Sequence, residues 1–212
     1  MTTIAVLGSG TVARALAGPW RAAGHEIVVG SRDPLRAVAD LPVPGVRVTG
    51  LPDAARAGDV VVNTLPGTAS LGVLRGLAPH LAGKVLVDVA NAVETDAQGF
   101  ATAPLHPGGS LAEEIQRALP AVRVVKTLNT MHASVMAAPR TLATPPSAFL
   151  SGDDADARRT VAALLADLGW PPEWIVDLGD VRTARAPEAF LLLVGSLVRA
   201  WGPVPFAMSV AR

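Results

Sequence analysis

The chain has 212 residues, half of them hydrophobic, with 18 basic against 18 acidic side chains and no cysteine. That length suits one domain with an appendage and supplies enough apolar material for a sizeable core. Disulfides, thiolate metal sites and a cysteine nucleophile are excluded, and a net charge of zero gives no electrostatic footprint for nucleic acid, so a small molecule is the expected partner.

The first predicted strand, "TIAVLG", runs directly into "TVARALAGPWRAAG", an alanine-rich segment of helical period. Gly8, Gly10 and Ala13 form a G-x-G-x-x-A pattern between them. In that context Gly8 permits the tight turn, Gly10 lets the backbone approach a pyrophosphate, and small Ala13 lets the helix pack close to the sheet. The phosphates are expected on the helix N-terminus, where unpaired N–H groups and the macrodipole favour anions. Pro19 removes a helical hydrogen bond and predicts a kink.

The second predicted strand, "HEIVVG", ends in "SRDP". An acid that would hold the 2′-hydroxyl of NAD is expected near position 30, where this chain has Gly30. Ser31 offers a hydroxyl and Arg32 a planar fork of donors. Asp33 and Pro34 look like the N-cap and first residue of a helix, with Arg36 at its third position. These groups favour NADP(H) over NAD. In the alternative reading Arg32 and Arg36 are solvated and Asp33 holds a ribose.

Further strands are predicted at 46–50, 59–66, 84–90, 122–129, 148–152 and 173–178. Their unbroken hydrophobicity suits strands covered on both faces, and their alternation with helical segments predicts an α/β fold with a doubly wound, mostly parallel sheet. Ser110 with Glu113 forms a capping box, Asp153 or Asp154 caps the segment that follows, and Gly169 closes it. Residues 91–109 have no periodicity and read as a loop covering the ligand. From Phe190 to Trp201 the pattern is apolar nearly all round, which predicts a helix buried against the chain's own sheet or a second subunit. The expected organisation is a nucleotide-binding domain over 1–180 with a C-terminal helix and tail over 181–212, in a homodimer.

The chain has no tyrosine and only two lysines, Lys84 and Lys126, so a reductase mechanism using a Tyr–Lys pair on one helix is impossible. His132, in "NTMHAS", is the best-placed ionisable group beyond a strand end; it either protonates an acceptor or caps the turn it sits in. Lys126 is a second candidate, of the type used by hydroxyacid dehydrogenases, but those chains carry a long helical second domain that 212 residues cannot supply. No metal-ligand spacing links His25, His80, His106 and His132. Apolar runs are too short for a membrane span, and "MTTIAVLGSG" lacks the flank and cleavage site of a signal peptide, so a cytoplasmic location is expected.

The segments "VLGSGTVARALA", "GHEIVVGSRDP", "NTLP", "VLVDVAN", "SLAEEIQRALP", "VVKTLNTMHASVM" and "SGDDADAR" occur in the order in which they resemble the F420-dependent NADP oxidoreductases. That family exchanges hydride between NADP(H) and the deazaflavin coenzyme F420. The cytosolic domains of certain membrane ferric reductases look similar too. By this resemblance Ser9, Gly10, Thr11 and Val12 touch the pyrophosphate, and Ser31, Arg32 and Arg36 the 2′-phosphate. Leu65, Pro66, Ala90 and Asn91 line the nicotinamide side, while Thr130, Met131 and His132 border the acceptor pocket. The tail "GPVPFAMSVAR" departs from the members that handle deazaflavin. Two other readings fit the residues: an NADPH-dependent reductase of an imine or dehydroamino acid, with His132 or a water as proton donor, and a module that senses NADP without turnover.

Overall fold

The computed structural model describes residues 1–41 and 43–211. The chain begins with β1 (Thr3–Leu7), α1 (Thr11–Ala22), β2 (Glu26–Ser31), α2 (Pro34–Asp40), β3 (Arg47–Gly50), α3 (Leu51–Ala57) and β4 (Val60–Asn63). It continues through α4 (Gly67–Gly76), α5 (Ala78–Leu81), β5 (Val85–Asp88), a hairpin of β6 (Val93–Thr95) and β7 (Ala101–Pro104), then α6 (Leu111–Ala118) and β8 (Arg123–Lys126). The last part comprises α7 (Ala133–Met136), β9 (Ala148–Ser151), α8 (Ala155–Asp167), β10 (Ile175–Gly179), α9 (Arg185–Ala189) and α10 (Leu191–Trp201). His80 sits in the short helix α5.

The main sheet has the order β10-β9-β8-β5-β4-β1-β2-β3. Every pair from β3 to β8 is parallel; β9 runs antiparallel to β8 and parallel to β10. This is the doubly wound, mostly parallel α/β fold that the sequence predicts. Because side chains alternate faces along a strand, Ile4 and Val6 enter one core with Leu16, Trp20 and Ile27, while Ala5 and Leu7 enter the other with Val28, Leu74 and Leu86. Trp20 joins α1 to α8 by donating from Nε1 to the Leu164 carbonyl at 2.9 Å. α1 runs through Pro19 to Ala22, so the proline forfeits its own bond to the Ala15 carbonyl without ending the helix.

The parallel register places Gly30, Leu7, Asn63, Asp88 and Lys126 in one row across β2, β1, β4, β5 and β8. That row is the C-terminal edge of the sheet; β4, β5 and β8 stop there although the predicted strands run two or three residues further, whereas β2 continues one residue past its predicted end, to Ser31. The Asn63 side chain accepts from Leu65 N (3.3 Å) and the Asp88 side chain from Ala90 N (3.2 Å), so each turns the backbone out of the ladder. After β8 the turn is made by Leu128 in the left-handed region, φ 58°.

Residues 91–109 contain the β6–β7 hairpin, closed by Asp96, whose side chain accepts from Gln98 N and Phe100 N. Phe100 of the hairpin packs on α10 at Gly195, where a Cβ would come within 3.0 Å of the Phe100 Cβ.

Candidate functional site

Strand order reverses between β1 and β4, and in such sheets the crevice outside the carboxyl ends of these strands takes the ligand. Two adjoining cavities lie there. One, of about 750 Å³, runs between the glycine turn, the β2–α2 turn and the Thr64–Pro66 turn. The other, of about 470 Å³, lies beyond Val12 and Leu65, which border both.

Gly8 has φ +115°, and a Cβ on it would come 2.8 Å from Thr64 Oγ1. The tight turn thus requires glycine for conformation and for space. Gly10 is the N-cap of α1, and Arg14 N is the first to find its carbonyl, at 3.0 Å. The N–H groups of Thr11, Val12 and Ala13 consequently have no helical acceptor. No acid occupies that first turn. A pyrophosphate fits this cradle, which Ser9, Gly10, Thr11 and Val12 line together with Arg14. Sequence reasoning misses Arg14, although its position one residue past Ala13 gives a signal for it.

At the other end of the same cleft stand Ser31, Arg32, Asp33 and Arg36. Asp33 accepts from Arg36 N at 3.1 Å as the N-cap of α2, and Pro34 is the first helical residue. The Ser31 hydroxyl accepts from Asp33 N at 3.1 Å and so holds the turn. Arg36 Nε lies 3.5 Å from Asp40, an exposed pair, whereas Arg32 is exposed and has no ion-pair partner among the described residues. Gly30 has a steric role: its Cβ would lie 2.9 Å from Ala54 Cβ and 3.2 Å from Leu51 Cα. An acid at this position would point into α3 and not into the cleft.

The second cavity is bordered by Ala90 and Asn91 from the end of β5 and by Asn129, Met131 and His132 from the turn after β8. Asn91 and Asn129 are joined reciprocally: Asn91 Nδ2 donates to the Asn129 carbonyl at 2.9 Å, and Asn129 Nδ2 donates to Asn91 Oδ1 at 3.0 Å. His132 caps α7. Its Nδ1 accepts from Ser134 N (3.3 Å) and lies 2.8 Å from Ser134 Oγ, which leaves Nε2 as the protonated nitrogen of the neutral ring. Thr130 does not border the cavity. It is buried, and its carbonyl accepts from Met208 N at 3.0 Å.

The opposite wall departs from expectation. Beyond Asn91, the 91–109 stretch borders neither of these cavities; the wall is made by Phe190, Leu191, Val194 and Val198 of the C-terminal helix and by Phe206 of the tail. Phe190 and Phe206 form a tilted aromatic pair, 6.2 Å between centroids. The tail is fixed by His132 N donating to Phe206 O and Ser147 N donating to Met208 O, both at 2.9 Å. Apolar periodicity in 190–201 signals burial without naming the surface, which is why the sequence does not reveal this wall.

Lys126 lies beneath the site and does not border either cavity. It is 1% exposed, and its Nζ meets Asp88 Oδ2 (2.7 Å), Glu188 Oε1 (2.9 Å) and the Ala90 carbonyl. Burial works to lower its pKa, but Asp88 and Glu188 outweigh this and hold it above the ordinary lysine value. It remains an ammonium with every N–H engaged.

The family model described as NADP oxidoreductase coenzyme F420-dependent matches residues 3–92. A crystal structure from Arthrobacter sp. FB24, described as a candidate F420-dependent NADP-reductase, is 40% identical over the whole of both chains, with a TM-score of 0.93. Metalloreductase STEAP3 of Rattus norvegicus is 33% identical over 89% of this chain and 36% of its own. The F420-dependent NADP reductase of Methanocaldococcus jannaschii is 29% identical over 68% of this chain and 64% of its own. The chain thus spans between about a third and two thirds of these two curated relatives.

Proposed function

The chain belongs to the coenzyme F420-dependent NADP oxidoreductase family, and from that premise we propose that it exchanges hydride between NADP(H) and a planar deazaflavin, coenzyme F420. NADP(H) lies along the larger cavity, with its pyrophosphate over the N-terminus of α1 and its 2′-phosphate toward Ser31, Arg32 and Arg36. Its nicotinamide is directed to Leu65, Pro66, Ala90 and Asn91. The deazaflavin takes the second cavity, between the Asn91–Asn129 pair and the Phe190–Phe206 wall. Residues 1–180 then carry the nucleotide, and 181–212 complete the acceptor side.

The observation that carries this reading is the junction of the two cavities at Val12 and Leu65, one lined by phosphate-directed groups and the other by apolar, aromatic and amide groups. Among the described residues bordering the second cavity, none is Asp, Glu, Lys or Arg. A site so built offers little acid–base chemistry, and hydride exchange between two ring cofactors requires little, because the cofactors supply the chemistry when bound. The chain's part is to align the rings within near-attack distance and exclude water. Among the described residues no helix is long and apolar enough to cross a membrane, which is compatible with a cytoplasmic enzyme.

The test mixes the protein with NADPH and oxidised F420 and follows the deazaflavin absorbance, with a simple flavin, a cyclic imine and ferric citrate in parallel. Reduction of the deazaflavin is the expected result. Intact NADPH binding without deazaflavin reduction in either direction, across acidic and alkaline pH, overturns this acceptor. Turnover of another acceptor then identifies a different reductase, and binding without any turnover identifies an NADP-sensing module.

A further inference from the structure

We propose that Lys126 is a positioning residue that sets the spacing between the two walls of the second cavity, tying the Ala90–Asn91 turn to α9 through one buried ammonium. The proposal rests on the reading that this cavity takes the hydride acceptor. Ala90 belongs to one wall, and Glu188 lies two residues before Phe190, the first residue of the other. Lys126 Nζ reaches both, and Asp88 besides, so its three N–H groups are matched by three acceptors and none is left for a substrate.

Both carboxylates are committed elsewhere as well. Asp88 Oδ1 accepts from Asn63 Nδ2 (2.8 Å) and Ala90 N, which fixes the turn from the other side. Glu188 accepts from Leu111 N (2.7 Å) and Ala112 N (3.1 Å) at the start of α6, where the helix N-terminus favours the excess negative charge of one lysine between two acids. A buried ion cluster seldom stabilises a fold more than apolar side chains of similar volume. This one, however, joins four segments that are remote in sequence: the ends of β5 and β8, the start of α6, and α9. That is the geometry of a spacer.

The test uses the whole chain with Glu188→Gln, which keeps the shape and weakens the tie, and Glu188→Asp, which keeps the charge and shortens the reach. Arg185→Ala is the control, because Arg185 tethers α9 from outside through Glu113 (2.7 and 2.9 Å) without touching the cluster. Both Glu188 variants are expected to speed amide hydrogen exchange across 191–201 about tenfold or more, while β1 and β4 stay protected. They should alter the fluorescence of bound reduced nicotinamide and leave the affinity for adenosine 2′,5′-bisphosphate, which fills only the phosphate end, within about twofold. Arg185→Ala should lower thermal stability without the fluorescence change. Unchanged exchange across 191–201 in the Glu188 variants, or equal changes in all three proteins, overturns the proposal. If wild type binds no NADPH, the cofactor reading fails, while exchange alone still decides whether Glu188 ties α9 to the buried cluster.

Discussion

We expect Arg32 to contribute most of the preference for a phosphorylated ribose among the three groups at the β2–α2 turn. Arg32 is exposed and without an ion-pair partner among the described residues, so its charge is available to a ligand. Arg32→Ala should remove a charge-assisted contact of about 1.5–3 kcal/mol, weakening NADPH by roughly ten- to 150-fold and leaving NADH nearly unchanged. Titration of both nucleotides against both proteins checks this; equal losses would make Arg32 a solvated charge. Gly30 shows why the usual route to an NAD enzyme is closed. Any Cβ at 30 meets Ala54 and Leu51, so Gly30→Asp should unfold α3 from the sheet and lower the melting temperature instead of creating a ribose ligand. His132 is the other residue whose role a substitution decides. Because its Nδ1 is engaged with Ser134 and the cavity calls for alignment over proton transfer, His132→Ala should slow deazaflavin turnover only modestly. A loss on the order of a hundred-fold at neutral pH would mark a proton donor.

Elements were legible where their signals are local. The capping residues Ser110, Asp33 and Asp154 sit where "SLAEE", "RDP" and "DDADAR" predict them, since a cap needs only its own next turn. The nucleotide cleft shares this property: the glycine turn and the β2–α2 turn each read from fewer than ten residues. The far wall of the second cavity was not legible, because Phe190, Val194 and Phe206 meet Asn91 and His132 around that cavity only through the tertiary fold, and the partners of Lys126 are spread from β5 to α9. The start of α6 illustrates the limit within one motif. Ser110 Oγ accepts from Glu113 N (3.1 Å), as a capping box requires, but the Glu113 carboxylate binds Ser110 Oγ and, above all, Arg185 of α9. Arg185 and Ser110 hold the Glu113 pKa below its ordinary value against the opposing effect of burial. A depressed carboxyl adds stability that is present above its unfolded pKa and lost as pH falls through the folded one. Wild type should therefore exceed Glu113→Gln in melting temperature at neutral pH, and the gap should close below the ordinary glutamate range. Arg185 is half exposed, so the gap should also shrink with salt. A gap independent of pH would assign the effect to packing alone.

At the scale of the molecule the question is what covers α10. One side of this helix packs on Phe100 at Gly195, and a second borders the second cavity through Leu191, Val194 and Val198. Three of its apolar side chains are left to solvent: Leu192, Leu193 and Trp201 are 38, 49 and 64% exposed. The all-round apolar pattern thus serves two surfaces within this chain and leaves a remainder exposed. Contiguous exposed apolar side chains on a soluble chain mark an association surface, and a symmetric pair of identical patches is the simplest way to cover one. We therefore expect a homodimer joined along α10, with light scattering at low concentration giving twice the chain mass. Leu193→Glu with Trp201→Glu should yield monomers. Because the same helix also walls the second cavity, those monomers should lose acceptor affinity and keep affinity for adenosine 2′,5′-bisphosphate, whose cleft lies on the other side of Val12 and Leu65. A wild-type chain that is monomeric at every concentration would show that this side of α10 is simply solvated, and would leave the nucleotide cleft unaffected.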